Sequence, residues 1–576
     1  MGATDEADRG GTRAWRGLSA ELAGRPVVTA TALAAVLHVA WFLWAANSGG
    51  DLAAQDAWAE FAGRYPDSAY NLAWYGGMHP VSYSVLSPYV MALIGVRTTM
   101  MAAGTVSAGL VALILVRTDA VRNVLACSLA AVFALLCNAA SGRVTFGLGL
   151  MVALGAVAAL YCRPPHGRGV WGVRSVQGVR VLRGAAVAAL SGLATAASPV
   201  AGLFLGVVAA ALFLTGRRLA SYAVGLPPVA VVGLSAWLFP FSGTQPMAFG
   251  TAALPVLFGI LAVVLVPREW RTLRAGAGFY AVGTLLTWLF DSQIGSNVTR
   301  LPMLFAGVVL LAALPYAARE CRRRSRRWYA LVTALVVFHA WVGFKSVDDV
   351  VRTAPQASWA HDAAPLVEEL RRRGADQARV EVVPARSHRE ASALAPYVSL
   401  ARGWNRQADL ERNPLFYDGS LNAANYRAWL HRWAVRYVVL PTGGTPDTGA
   451  REETALVAAG LPYLEPVWSD AHWRLYAVQD PTPLAAPDAT VSRTSPGGLT
   501  LRVTEPGRIL IRVPYSPWLS LVDAEGRRLA ATPATGCLRE APQPGTGDTW
   551  TELTAPKAGV YHLGSPYSLF ARGTAC

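Results

Sequence analysis

Residues Gly49–Pro88 read GGDLAAQDAWAEFAGRYPDSAYNLAWYGGMHPVSYSVLSP, and the rest of the chain is arranged around them. The stretch lies between two strongly apolar segments and is too short to be a domain of its own. Asp51 and Asp56 follow the first apolar segment almost at once. Trp58, Phe61, Tyr65, Tyr70, Trp74 and Tyr75 come next, and Gly76, Gly77, His79 and Pro80 close the run. Carboxylates beside flat rings suit a sugar site, in which an acid takes a hydroxyl proton and a ring covers an apolar sugar face. The same composition suits an interfacial amphipathic loop whose aromatics sit at headgroup level and whose acids are solvated.

The 576 residues are 53% hydrophobic and 15% charged, well under the roughly 25% charge of ordinary soluble domains. Apolar runs near the roughly 20 residues that cross a bilayer lie at about 27–46, 98–116, 123–139, 144–161, 184–197, 200–215, 219–239, 249–266, 276–290, 301–317 and 328–344. They make about eleven spans. The pair around Ser198-Pro199 is short on both sides, so Pro199 either separates two spans or kinks one. Charge decides for two. With a turn there, the Arg clusters at 9–25, 117–122, 163–183, 217–218, 268–274 and 319–327 all fall on one side, as the positive-inside rule requires.

With the whole tail 1–26 included, those segments hold about 22 Arg and about 7 acids, about +15, and the whole chain carries +15. The remainder is neutral overall. The basic balance is therefore a topology signal, and nucleic acid is excluded as a partner. The N-terminal tail mixes acids with its Arg and shows no cleavage site after the first span, so it reads as an inner tail and not as a removed signal peptide. The expected organisation is a cytoplasmic tail over 1–26 and a transmembrane domain over 27–344, with its first outer loop at 47–97. An extracytoplasmic α/β domain over 345–480 and a β-sandwich over 481–576 follow. Short helix-like and strand-like runs alternate in the α/β segment; the Pro-rich DPTPLAAPD at 480–488 then gives way to strands separated by turns.

No Asp or Glu lies inside a marked span, which argues against an ion or proton pathway. His38 and His339 read as helix-contact residues. Arg97, Arg143 and Arg300 stand at the outer rim, against the trend of the chain. A guanidinium there either holds a lipid-linked phosphate bidentately or snorkels to ordinary headgroups. Arg300, with Asn297 and Gly295 just before it at the start of a span, is the strongest phosphate candidate, and helix N-terminal amides add to such a site. Asn297-Val-Thr299 fits a glycosylation acceptor but reads as chance so near the membrane. The stretch LARGWNRQADLERNPLFYDG at 400–419 is either a loop facing the membrane site or the surface of the α/β layer. Cys537 and Cys576 both fall in the outer β domain, where an oxidising compartment lets them bridge. No metal-hydrolase, serine-esterase or nucleotide motif occurs.

An N-in bundle of about eleven spans, an acid just after the first span and an outer C-terminal part together resemble the GT-C class of membrane glycosyltransferases. Gly49-Gly-Asp-Leu52, Trp74–Pro80, Tyr83–Tyr89 and the 400–419 stretch are also similar to bacterial membrane proteins labelled as related to 6-pyruvoyl-tetrahydropterin synthase, a label read here as a misnomer. The GT-C resemblance implies a polyprenyl-phosphate sugar donor, an envelope glycan or glycolipid acceptor, surrounding membrane lipid and a bacterial plasma-membrane location. It places a catalytic acid in the first outer loop. On that basis Asp51 is the expected general base and Asp56 the second carboxylate, although the two are not adjacent as in some members and either can be the base. Trp74, Tyr75 and His79 would line the acceptor side, and Arg300, Asn297 and Arg143 the donor phosphate. The class also implies a divalent metal, for which the residues show no ligand set. A transporter or lipid-handling protein, whose helices would show an internal repeat that is not seen, and a non-catalytic envelope assembly factor are the other readings.

Overall fold

The computed structural model describes residues 24–46, 50–161, 173–319, 326–353, 363–568 and 575–576. The tail up to residue 23, the Arg-bearing stretches 162–172 and 320–325, and Cys162 and Cys321 lie outside the described residues. In chain order the helices are α1 (Pro26–Trp44), α2 (Leu52–Arg64), α3 (Ser87–Ile94), α4 (Val96–Arg117), α5 (Val124–Ala140), α6 (Val144–Tyr161), α7 (Val173–Ala197), α8 (Pro199–Leu214), α9 (Arg218–Leu238), α10 (Phe249–Leu265), α11 (Arg271–Leu289), α12 (Arg300–Arg319) and α13 (Arg326–Thr353). Each marked apolar run is a helix. Among the described residues, seven helices are long and apolar enough to cross a membrane, and α5, α8 and α10 are shorter apolar helices.

The chain forms two compact units: Met1–Ala46, Arg97–Leu234 and Gln245–Asp349 in a helical unit, and Asn47–Val96, Ser235–Thr244 and Val350–Cys576 in a mixed unit. In the helical unit Ser198 takes extended backbone (φ −155°, ψ 115°) and separates α7 from α8. Pro199 then sits in the first turn of α8, where its missing N–H costs nothing. Small residues let the helices approach: Ala30 and Ala34 of α1, Ala108 and Ala112 of α4 and Ala131 of α5 share one core. Gly104 leaves room for the His38 ring, which would lie 2.1 Å from any Cβ there. His38 Nδ1 donates to the Ala34 carbonyl at 2.7 Å, and His339 packs beside Phe133 and Phe338.

The mixed unit holds helices α14 (Ala364–Arg372), α15 (Arg389–Leu394), α16 (Arg406–Arg412), α17 (Ala423–Arg432) and α18 (Arg451–Ala458). Its first sheet, ordered β2-β1-β3-β5-β4, joins parallel β1 (Arg379–Val382), β2 (Ser399–Leu400) and β3 (Val435–Pro441) to antiparallel β4 (Leu464–Ser469) and β5 (Trp473–Val478). Two antiparallel four-stranded sheets follow, β10-β13-β8-β7 and β11-β12-β9-β6. They are built from β6 (Ala485–Ala486), β7 (Ala489–Ser495), β8 (Gly498–Val503), β9 (Gly507–Pro514), β10 (Ser520–Val522), β11 (Cys537–Pro542), β12 (Thr549–Ala555) and β13 (Gly559–Gly564). Leu501, Ile511, Leu553 and Leu563 form part of their shared core, and a disulfide joins Cys537 to Cys576. Helix α13 runs on to Thr353, past the boundary at 345 expected from hydropathy alone; the residues after Phe344 keep a helical pattern in which Ser346 bonds back to Val342.

The opening stretch is neither an interfacial loop nor an open aromatic platform, because its rings lie inside the mixed unit. Trp58, Phe61, Trp74, Tyr75 and Met78 share one core with Leu366, Leu370, Val380, Leu400, Val439 and Leu475. Its backbone is sewn into both layers: Leu400 N–H donates to Ala73 and Gly76 N–H to Leu400, while Ala69 N–H donates to Ser565 and Leu72 N–H to Pro496. Gly76 (φ +63°) and Gly77 (φ +149°) make this course feasible. A Cβ would come within 2.7 Å of the Arg379 guanidinium at the first and 2.5 Å of the Tyr70 ring at the second.

Candidate functional site

In the helical unit one ring carries the strongest cationic candidate. Arg143 immediately precedes α6, and its carbonyl accepts the first helical bond, from Gly147. Phe146, one turn on, carries the Arg300 guanidinium over its face at 5.4 Å, so the side chains of α6 and α12 meet there. Asn297 lies in the 3₁₀ turn Gly295–Thr299 that leads into α12, with its amide Nδ2 donating to Ile294 O at 3.0 Å. Arg97, the third rim arginine, donates from Nε to Ala46 O at 3.2 Å.

Phe146 also packs edge-on against Phe204 of α8. Phe204 lines an apolar cavity of about 410 Å³, together with Leu150, Leu154, Phe258, Leu301 and Phe305. None of the lining residues is an acid or a base. A cation bound at Phe146 thus stands two ring contacts from a cavity suited to hydrocarbon, and Leu301 lines that cavity immediately after Arg300 in the chain.

In the mixed unit Asp51 is the N-cap position of α2, and Asp56 lies further along the same helix, its carboxylate held by Arg389. The peptide before Asp51 is anchored from outside the loop: Trp404 Nε1 donates to Gly50 O at 2.7 Å. Trp404 lies flat on His388, with centroids 3.6 Å apart and planes at 11°, and Arg406 stands over its ring at 5.1 Å. Residues 388–390 therefore serve the loop twice, through the Trp404 stack and through the Arg389–Asp56 pair. Nothing local in the sequence marks them.

Trp74, Tyr75 and His79 are buried. Tyr75 Oη donates to the carbonyls of Gly403 and Asn405 at 3.2 and 3.1 Å and accepts from Asn405 N–H; burial pushes its hydroxyl well above the usual phenol range. His79 Nδ1 donates to Ala69 O at 2.8 Å and Nε2 accepts from Ser516 at 3.2 Å. Burial pulls its imidazole down to about 4, so it is neutral near pH 7. Arg412 donates to the carbonyls of Tyr75 and Gly77 at 3.1 and 2.8 Å. These side chains fix the loop from within.

The 400–419 stretch mixes buried residues, among them Arg402, Asp409, Asn413 and Phe416, with exposed ones such as Glu411, Pro414 and Asp418. Arg402 is buried and forks onto Asp409 at 3.0 and 2.7 Å, with Glu453 at 2.9 Å and Glu381 at 3.6 Å. Burial raises Asp409, but Arg402, Tyr417 and Asn413 outweigh it and hold the carboxyl below its usual range. Burial, with Glu453 adding repulsion, raises Glu381 well above normal. Burial also lifts Glu390 to about 8, opposed by hydrogen bonding at Oε1 from Ala385 N–H. The structure thus brings Arg143, Asn297 and Arg300 to one part of the helical unit, and Asp51, Asp56, Trp74, Tyr75 and His79 to one loop of the mixed unit. The class-derived metal does not fit these donors: among the described residues no three His, Cys, Asp or Glu side chains are grouped to hold one, and Asp56 is engaged by Arg389.

Residues 486–576 match a family model described as a domain of unknown function (DUF8823), and no curated protein matches the chain in sequence. Solved structures similar to the chain are GT-C glycosyltransferases at low identity. The Archaeoglobus fulgidus oligosaccharyltransferase tethered to an acceptor peptide is 10% identical with a TM-score of 0.43, over 80% of this chain and 74% of that one. ArnT from Cupriavidus metallidurans, bound to undecaprenyl phosphate, is 13% identical with a TM-score of 0.43, over 78% and 97%. The mycobacterial arabinofuranosyltransferase AftD is 16% identical with a TM-score of 0.47; 84% of this chain aligns with only 41% of that one. This chain itself has an N-terminal region of apolar helices and a β-rich C-terminal part.

Proposed function

We propose that this chain is a multi-pass plasma-membrane glycosyltransferase that moves a sugar from a polyprenyl-phosphate donor to an envelope glycan or glycolipid on the outer face. The observation that supports it most is the Arg300–Phe146–Phe204 succession, which joins a guanidinium to an apolar cavity of about 410 Å³. A lipid phosphate needs such a pairing: a charge-assisted partner for the head and a water-free channel for the chain. In this reading Arg300 and Arg143 hold the phosphate, and Asn297 shapes the turn that presents Arg300.

The reaction is a single displacement. The acceptor oxygen attacks the anomeric carbon, the carbon–oxygen bond to the phosphate breaks, and the hydroxyl proton passes to the Asp51 carboxylate. The electron pair leaves with the lipid phosphate, whose added charge the two arginines stabilise. Asp51, at the N-cap of α2, is taken as the base, and the Asp56 carboxylate is paired with Arg389. Asp56 then acts as the second carboxylate and clamps α2, while Trp74, Tyr75 and His79 set the shape of the acceptor side by fixing the loop from inside. No step is routed through a metal.

The test is to incubate purified protein in lipid with a panel of polyprenyl-phosphate sugars and envelope acceptors, and to follow release of free lipid phosphate. Sugar-dependent release supports the reading. Binding of polyprenyl phosphate without release from any donor would assign the chain to the lipid-handling or assembly class instead.

A further inference from the structure

A second cavity in the helical unit, of about 420 Å³, opens between α8, α9 and α11 and is not used by the proposed reaction. Small residues carve it. Gly225 of α9 lies so close to α8 that a Cβ would stand 2.9 Å from Ala209, and Ser221 donates to the Ala209 carbonyl at 2.7 Å. On the open side a Cβ at Gly206 meets no atom within 4 Å. The groove runs from Phe213 and Tyr222, whose rings lie 6.4 Å apart, toward Gly206, about two helical turns or roughly 10 Å. Its walls are hydrocarbon almost throughout, and none of the lining residues is ionisable at neutral pH.

One end is cationic. The turn that joins α8 to α9 carries Arg217 and Arg218, both exposed. Arg218 lies over the Phe213 ring at 5.8 Å, on the wall of the groove, and Arg217 over Tyr161 at 5.1 Å. Thr215 of the same turn bonds Thr272 at 3.2 Å, beside Arg271 at the start of α11. Glu269 is the one acid in that neighbouring stretch. A guanidinium on a ring keeps its N–H edge for an anion.

From this complementarity we infer that the groove is a binding site for an anionic phospholipid, its phosphate on Arg217 and Arg218 and one acyl chain along Gly206 and Gly225. A zwitterionic lipid presents the same chain but meets the two arginines with no net charge. Each arginine at a membrane surface is worth about 1 kcal/mol toward an anionic headgroup, roughly fivefold in affinity.

The experiment is a lipid titration of the full-length protein in detergent, read by native mass spectrometry, with phosphatidylglycerol and phosphatidylcholine compared. Wild type should take up phosphatidylglycerol at a saturable site that phosphatidylcholine fills poorly. Arg217→Ala with Arg218→Ala should lower phosphatidylglycerol affinity roughly 30-fold and leave phosphatidylcholine unchanged. Gly206→Leu, which extends into open space, should weaken both lipids while the helical circular dichroism of each variant stays that of wild type. Equal affinity of the two lipids for wild type, or undiminished phosphatidylglycerol binding by the double variant, would overturn the assignment. So would a dimer mass that Gly206→Leu abolishes, which would give the groove to a second copy of the chain.

Discussion

Replacing Glu390 by Gln removes a buried charge whose cost depends on pH, and the structure sets both sign and size. Glu390 Oε1 accepts the Ala385 N–H at 3.1 Å, whereas Oε2 is buried without a partner among the described residues. His388 lies 3.8 Å away, and Asp447, Arg402 and Glu381 complete its electrostatic surroundings. Burial raises the carboxyl from 4.5 to about 8. An acid that binds its proton more tightly folded than unfolded leaves stability intact below the unfolded pKa and removes it as pH rises toward the folded one. The window is therefore pH 4.5 to 8. At 1.36 kcal/mol per tenfold change in proton affinity, the full loss is about 5 kcal/mol. Glutamine keeps the acceptor at Oε1 and cannot ionise; its unpaired amide N–H groups add a cost that does not vary with pH. Thermal unfolding of wild type and Glu390→Gln, followed by tryptophan fluorescence from pH 4.5 to 8.5, should give curves that diverge with rising pH. At about 2 °C per kcal/mol for a large domain, the variant should gain roughly 10 °C relative to wild type across the window. Two parallel curves would refute the reasoning and show that Glu390 is ionised in the folded chain without penalty.

Asp51→Asn should lower turnover by roughly 100-fold or more with donor binding unchanged, and Arg300→Ala should instead weaken donor binding; equal turnover of wild type and Asp51→Asn on folded protein would move the base to Asp56. Trp404→Phe keeps a ring on His388 but deletes the N–H that holds Gly50, so turnover should fall while the donor KM stays constant and amide exchange quickens at residues 50–53; unchanged exchange would remove Trp404 from the support of the loop. Reduction of the Cys537–Cys576 bond should destabilise the β-sandwich by roughly 2–4 kcal/mol, read as a lower denaturant midpoint with reductant than without.

The helices were legible because an apolar run near bilayer length has few alternatives, and the Ser198 break because Pro199 interrupts the apolar pattern there. The start of α12 at Arg300 was legible because the apolar run begins at the next residue. The location of Trp58, Trp74 and Tyr75 was not. Their partners, among them Leu366, Leu400 and Leu475, lie about 290 to 420 residues on, and no periodicity within the loop reports a contact at that range. The burial of Arg402 and Asp409 within the 400–419 stretch was not legible either. Residues such as Arg402 and Asp409 are on the surface by default, and only their mutual pairing, with Glu453 added from α18, makes burial affordable. Arg389 and His388 carried no signal because their role depends on where α15 meets α2.

The seams at Gly76 and Ala69 also set a timetable. Gly76 carries the backbone oxygen that faces Arg379, 303 positions later, and Ala69 N–H waits for Ser565. At 5–20 residues per second of synthesis, the first of these partners emerges on the order of 15 to 60 s after the loop does, and the second later still. Until then Trp58, Trp74 and Met78 have left the first helix without the strands they pack on. The mixed unit is therefore completed from widely separated segments of the chain, its earlier piece held open while the helices between them are made.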